Sequence, residues 1–483
     1  MSEWAKRYGN VYSLTVGPSN TIVLSGRHAV KQVLDKKSAV SSDRPTSLLR
    51  QQLLTGGDHL LWMDATPQWR GLRKLIHADL TEVVCTSRNA PLQQAEAVQM
   101  LYDMMQSSAD WKRHIERYTN SVVLSIIYGI RWPDINSSYI LQFEQLLRDW
   151  TAINQICATP PIDVFPVLNW VSERFLGNWK SRARVVHDSM RELYDGLHEV
   201  VLRRRERIGS INSIVDRILD QNDKSALTFH EISNHAGVAI KGGSDTSATV
   251  LFNFALAMVL HPDIQKKAQA EIDREVSSDR IPNISDVGRL SYVMSIIKEV
   301  LRWRPVGGIG IPHQLSEDVW LDDQLLPKGS TLLLNAWAIH QDEKRYPNPD
   351  KFDPNRFQGW TAFSAEYANV ADPEKRDHYA YGNGRRICPG IHLAERSLFS
   401  VVSKMLWAFD IEFTNDPSTG KSIIPDSSIT TGYNKGLVLC VKDFPVEMKV
   451  RSTAKRSIVE ESYQAACTDI FAKYDVLGTS STF

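Results

Sequence analysis

The sequence predicts a mainly α-helical fold with small β-sheets, an α+β arrangement, and three observations carry that prediction. Apolar residues recur at spacings of three and four over most of the stretch from Pro67 to Arg302, as in Leu72, Leu75 and Ile76 or Met190, Leu193, Leu197 and Val200. Short β-rich runs flank that stretch on both sides. A second helical pattern, from Ile391 to Ala408, follows the later β-type runs.

Taken in order, Val11 to Val16 and Thr21 to Leu24 are β-rich, and residues 17–20 between them, Gly-Pro-Ser-Asn, are turn formers, so the chain begins with a hairpin. The helical middle is interrupted by Pro160, Pro161 and Pro166. They leave a loop carrying Ile162, Val164, Phe165, Val167 and Leu168, which reads either as a mobile lid or as a packed connector. A long helix is expected from Glu231 to Leu260. Beyond Arg304, six prolines between Pro305 and Pro354 separate β-type runs such as Ser330 to Leu334. No repeat, low-complexity tract or linker divides the chain.

The chain has 483 residues, with Lys+Arg 56 balancing Asp+Glu 56 and a hydrophobic fraction of 42%. Such usage excludes disordered, collagen-like and disulfide-scaffold classes, and the charge balance argues against a nucleic-acid partner. The five cysteines, Cys85, Cys157, Cys388, Cys440 and Cys467, lie far apart with no CxxC and no paired histidine, so neither zinc nor a disulfide framework is implied. The first ten residues contain no apolar signal core. The longest apolar stretch, Val250 to Leu260, is interrupted by Asn253 and falls short of the roughly 18 residues of a membrane span. A soluble or peripheral chain is expected.

The sharpest chemical signal is the run from Tyr381 to Gly390, Tyr-Gly-Asn-Gly-Arg-Arg-Ile-Cys-Pro-Gly, entering the Ile391–Ala408 helix. Gly382, Gly384 and Gly390 permit tight curvature. Cys388 is expected at the helix N-cap with Pro389 in the first helical position, where the helix dipole, Arg385 and Arg386 favour a thiolate. These are the ingredients of a single anionic sulfur ligand, and they outweigh the plainer reading of a buried structural cysteine. A dinucleotide fingerprint fails because Ile387 stands where the third glycine belongs.

Three further motifs are weaker alone. Glu299 and Arg302 are three apart on a helix face, a spacing that by itself reads as a surface ion pair. Arg356 lies in the run from Phe352 to Phe357, Phe-Asp-Pro-Asn-Arg-Phe. Gly242, Gly243, Asp245 and Thr246 fall inside the long helix, where two glycines are costly. Gly242 shares a face with Thr246, which gives either a notch opposite a hydroxyl or plain packing with Thr246 bonded back to the residue-242 carbonyl. Arg203, Arg204, Arg205 and Arg207 read as a solvated basic face.

Together and in this order, the motifs resemble the cytochrome P450 family of haem-thiolate monooxygenases, over about Trp4 to Arg451. The resemblance implies a single cytochrome P450 domain over 1–483, with residues 455–483 as a C-terminal extension. It implies haem b with Cys388 as axial ligand to the iron, Arg386, Trp69 and Arg73 at the propionates, and His313 as a further propionate contact. Gly382 and Gly384 shape the ligand loop, and Tyr381 stands where the family usually has phenylalanine beside the sulfur. Glu299, Arg302 and Arg356 match the family's buried network, and Asn355 replaces a commoner acidic residue. Asp245 and Thr246 match the oxygen-activation segment, with Thr246 handling oxygen and protons and Asp245 feeding the relay.

The same resemblance implies insertion of one oxygen atom into a small hydrophobic substrate, in the style of fungal members that tailor secondary metabolites. The pocket is expected from the loop after Pro45, residues 152–168, Val238 to Gly243, Val306 to Ile311 and Ile429 to Tyr433, with Gly307, Gly308 and Gly310 leaving room. No flavin or nicotinamide fingerprint is visible, so electrons from NADPH are expected through a separate NADPH-cytochrome P450 reductase docking on the cysteine side. The family's apolar anchor and proline-rich hinge are not found at the start. Location at the cytoplasmic face of the endoplasmic reticulum is then expected through peripheral contact, with Ile162 to Leu168 as the touching segment. Two alternatives are a dioxygen-independent isomerase or dehydratase, which the Asp245–Thr246 pair disfavours, and an inactive truncated haem-binding chain.

Overall fold

The computed structural model describes residues 1–155, 157–222, 227–434, 436 and 438–476. Strands Val11–Val16 and Ser19–Leu24 pair antiparallel with Val16 opposite Ser19, so Gly17 and Pro18 form the two-residue turn and Gly17 takes φ +60°. Ser19–Leu24 then pairs in parallel with Thr331–Leu334, which pairs antiparallel with His313–Gln314. Ile22, Leu24, Leu332 and Leu334 give this four-stranded sheet one buried face. The sheet thereby fixes where His313 lies.

Helices Pro67–Asp79, Ala90–Gln106, Trp111–Tyr128, Ser138–Asn154, Trp179–Ile208, Pro262–Glu275 and Ser291–Trp303 form the body, as the periodicity predicts. Through it runs Phe229–Leu260, opened by a capping box in which Thr228 and Glu231 satisfy each other's backbone N–H groups. This helix is long and apolar enough to cross a membrane, but 78% of its most apolar window is buried within the protein, as for a core helix. Gly243 is required there: a Cβ would come within 2.9 Å of the Val123 side chain on Trp111–Tyr128. Gly242 faces open space.

The proline-broken loop divides its apolar residues between the two readings. Ile162 is buried, whereas Phe165 and Val167 are exposed, joined by Trp170 at 90% and Phe175 at 84% exposure. Short 3-10 turns, Pro166–Trp170 and Glu173–Leu176, present these side chains.

One surface reading is corrected, and the buried network that the resemblance implies is found. Arg204 is buried, donating to Asp216 at 2.5 Å and to the Tyr128 carbonyl, and Arg205 also bonds Asp216, at 2.9 Å. The run from Arg203 to Arg207 is therefore a helix-docking seam on one side, with Arg203 and Arg207 outward. Glu299 and Arg302 are likewise fully buried, because Ser291–Trp303 packs between the helical body and the segment from His340 to Phe357.

The region after Arg451 is docked as far as it is described. Thr453–Asp469 packs on Ala90–Gln106, with Tyr463 stacked on Tyr102 at 4.3 Å, and Asp475–Val476 pairs in parallel with Ile130–Arg131. Residues 477–483 of the expected extension lie outside the described residues.

Candidate functional site

The cysteine loop is built by backbone geometry. Gly382 at φ +75° and Gly384 at φ +54° occupy the left-handed region, and a Cβ on Gly384 would overlap the Leu34 carbonyl oxygen. The Cys388 N–H donates to the Tyr381 carbonyl at 2.8 Å and closes the loop. The helix N-cap is Gly390, so Cys388 precedes the cap by two residues and Pro389 is not the first helical residue. The sulfur nevertheless receives the Gly390 backbone N–H, and a Cβ on Gly390 would touch it at 3.9 Å. Burial pushes the Cys388 thiol up, while that N–H and the Arg73 guanidinium pull it down. Arg385 lines the same cavity of about 270 Å³ as Cys388, Arg73 and Gly384.

Around the loop, cations gather without carboxylates to match. Arg386 donates to the carbonyls of Ser42 at 2.8 Å, Leu60 at 3.3 Å and Met63 at 2.5 Å. Arg73 donates to the Ile387 carbonyl. Trp69, buried, donates its indole N–H to the Leu60 carbonyl at 3.1 Å, and its ring lies 4.0 Å from Arg386 and 5.6 Å from Arg73. Trp69 thus holds both guanidiniums in place. His313 meets the Ser41 carbonyl through Nδ1 at 2.7 Å; burial and then Arg44 hold its pKa down to about 3, so it is neutral.

Arg44 belongs to the same cluster. It donates to the Leu61, Ile311 and Pro312 carbonyls, and burial followed by the Arg386 charge lowers its pKa well below the ordinary value. Burial and then Arg73 likewise bring Arg386 down to about 10. Burial is the larger cause at both; Arg386 and Arg73 add to it at Arg44 and Arg73 adds to it at Arg386, while Asp64, joined at Arg386 by Asp43, pulls the other way. Nothing in the motifs marks Arg44, because its partners come from segments some 20 and 270 residues away.

Tyr381 packs beside His378, ring centroids 5.7 Å apart, and its buried hydroxyl finds no partner among the described residues. On the long helix, the Thr246 hydroxyl donates to the Gly242 carbonyl at 2.8 Å, as the back-bonded reading expects. Asp245 is largely buried and its carboxyl is raised by burial, with Lys241 pulling the other way. Behind the loop, Arg302 grips Glu299 through Nε at 2.7 Å and Nη2 at 2.8 Å, and Arg356 lies 3.5 Å from the same carboxylate. The Asp353 N–H donates to Glu299 as well.

Sequence reasoning missed the buried Lys298–Asp377 pair at 2.7 Å, which with Ser364 and His378 supports the chain entering the cysteine loop. It also passed over Lys241, although a lysine inside the otherwise apolar Val238–Gly243 segment is a readable anomaly.

A mainly helical body, a small sheet beside it and a lone cysteine presented by a glycine-arginine loop define the haem-thiolate class of oxygenase. The chain belongs to the cytochrome P450 family: the family model described as Cytochrome P450 matches residues 1–437. The cytochrome P450 monooxygenase macC of Penicillium terrestre is 38% identical over 478 residues, covering 98% of this chain and 89% of that one. The cytochrome P450 monooxygenase atE of Aspergillus terreus is 42% identical over 475 residues, covering 98% and 87%. Among solved structures, a zebra fish cytochrome P450 with progesterone aligns over 93% of this chain and 98% of that chain, with a TM-score of 0.75 and 25% identity. The protein is therefore an oxygen-incorporating oxidoreductase of a family that carries haem on a cysteine thiolate and draws on a redox partner.

Proposed function

We propose that the protein inserts one atom of dioxygen into a small hydrophobic substrate of fungal secondary metabolism, using haem b held by Cys388. The observation that carries the reading is the cluster of Arg44, Arg73 and Arg386 beside that cysteine, whose guanidiniums bond backbone carbonyls and form no carboxylate ion pair among the described residues. A planar group bearing two carboxylates fits such a cluster, and the donors are of the right kind: guanidinium forks. When bound, haem supplies dioxygen binding, reduction and O–O cleavage, which a thiolate ligand favours.

The chain's own residues then divide the work. Cys388 gives up its proton on ligation, helped by the Gly390 N–H and Arg73. Arg73 and Arg386 would hold the propionates, Trp69 fixes the two guanidiniums by stacking, Gly382 and Gly384 keep the loop backbone close, and His313, its one N–H taken by the Ser41 carbonyl, would meet a propionate only in its protonated form. Tyr381 stands beside the sulfur with a hydroxyl that tunes its surroundings. Burial raises the affinity of the Asp245 carboxyl for a proton, and Thr246 Oγ1, one residue on, would hand a proton forward.

Electrons come from NADPH through NADPH-cytochrome P450 reductase, which docks on the cysteine side. The exposed Phe165, Val167, Trp170 and Phe175 rest on the cytoplasmic face of the endoplasmic reticulum, a larger apolar contact than Ile162 to Leu168 alone supplies. The test is a carbon-monoxide difference spectrum of the reduced protein. Wild type is expected to give the red-shifted Soret band of thiolate-bound haem, and Cys388→Ala to lose it together with all turnover. A band that survives in the variant would reject Cys388 as ligand.

A further inference from the structure

We propose that Lys241 recognises an anionic oxygen, carboxylate or phenolate, on the substrate of this oxygenase. The inference rests on the haem-thiolate reading and deepens it, since it names the chemistry the distal pocket selects.

Lys241 stands one helical turn before Asp245 on the same face of Phe229–Leu260. Its Nζ is buried and, among the described residues, has neither a hydrogen-bond acceptor nor a carboxylate within ion-pair reach. The nitrogen lies over the Trp150 ring, 2.7 Å from its centroid. Trp150 comes from Ser138–Asn154 and is itself stacked on His59, with centroids 5.7 Å apart and planes 14° apart. His59 Nε2 and both ring nitrogens of His235 are also buried without partners. Two segments, the loop at His59 and the Phe229–Leu260 helix, thus bring polar nitrogens that lack partners among the described residues beside an aromatic wall from a third.

Other buried cations of the chain are answered from within it. Lys298 meets Asp377 at 2.7 Å, Arg117 meets Glu96 at 2.6 Å, and Lys404 bonds the Pro282 carbonyl and the Ser400 hydroxyl. An unpaired buried charge is costly, and protein interiors keep one chiefly where something external completes it. Burial accordingly drives the Lys241 ammonium far below its usual range, with Asp245 pulling the other way, and no loop arginine is among the charges acting on it. Lys241 is thus electrostatically separate from the cluster at Cys388. An anionic oxygen would supply the missing acceptor, while the Trp150 and His59 rings suit a flat body.

The test is calorimetric binding to the purified holoenzyme, with 3-methylbenzoate as the carboxylate probe, 4-nitrophenolate as the phenolate probe and 3-nitrotoluene as their neutral counterpart. Wild type is expected to bind at least one anionic probe ten times more tightly than 3-nitrotoluene, and which one it prefers identifies the oxygen. Lys241→Met should abolish that preference, hold 3-nitrotoluene within twofold and leave the carbon-monoxide spectrum unchanged. Lys241→Leu serves as a second uncharged variant should the first fail to fold. Equal wild-type affinity for charged and neutral probes, or a preference that persists without the lysine, would overturn the proposal. Failure of the haem reading shows separately, as loss of the wild-type Soret band.

Discussion

Arg302 and Lys241 are both cations inside the protein, yet their surroundings are opposite. Arg302 donates to both oxygens of Glu299 and to the carbonyls of His340 and Pro349, all within 2.9 Å. Lys241 has an aromatic face beneath it and no acceptor. The arginines at the cysteine loop stand between these extremes, hydrogen-bonded to neutral carbonyls rather than to carboxylates, so that they are positioned without a counter-charge. Where the chain supplies the counter-charge the group is scaffold; where it supplies only positioning, the counter-charge is left to a bound molecule.

The sharpest way to break this contrast is Arg302→Ala, which strands Glu299 in the core. It should cost about 3–5 kcal/mol, read as the shift in denaturant midpoint, whereas Lys241→Met should cost nothing or stabilise. Acid offers a second probe. Burial holds His378 to about 4 and His313 to about 3, below the unfolded value of 6.5, so the unfolded chain takes up protons first. Stability is then fully present above about pH 6.5 and lost as pH falls, by about 2 kcal/mol per histidine at pH 5, measurable by thermal melts across that range.

Thr246→Ala separates catalysis from scaffold. Removing a hydroxyl bonded only to Gly242 should leave the melting temperature within a degree or two while lowering product formed per NADPH consumed about tenfold. The smallest effect is expected from Tyr381→Phe, which removes a buried hydroxyl without a partner and should be neutral or stabilising by up to about 1 kcal/mol. A loss of stability there would place Tyr381 with the partnered scaffold groups instead.

Local features were the most legible. The Gly17 turn, the extent of the long helix and the Ile391–Ala408 helix follow from residues adjacent in sequence, and the structure places them within two residues of expectation. The cysteine loop was readable for the same reason, apart from the cap, which falls at Gly390 because the loop closes first through the Cys388 N–H. What escaped depends on distant segments. Arg204 became a core residue only because Asp216 returns beside it, and Arg44 joined the site through carbonyls near residue 312. Side-chain spacing along one helix carries no record of such partners.

The sheet at the start of the chain also sets a schedule. Thr21 pairs in parallel with Thr331, so the first hairpin meets its neighbour only after 310 further residues have been made. At synthesis rates of about 5–20 residues per second, the Ser19–Leu24 edge waits on the order of 15–60 s with its hydrogen-bonding groups unpaired. During that interval the nascent chain carries an open strand edge, the kind that pairs with other chains. The burden on chaperones therefore falls on that early strand edge rather than on the cysteine loop.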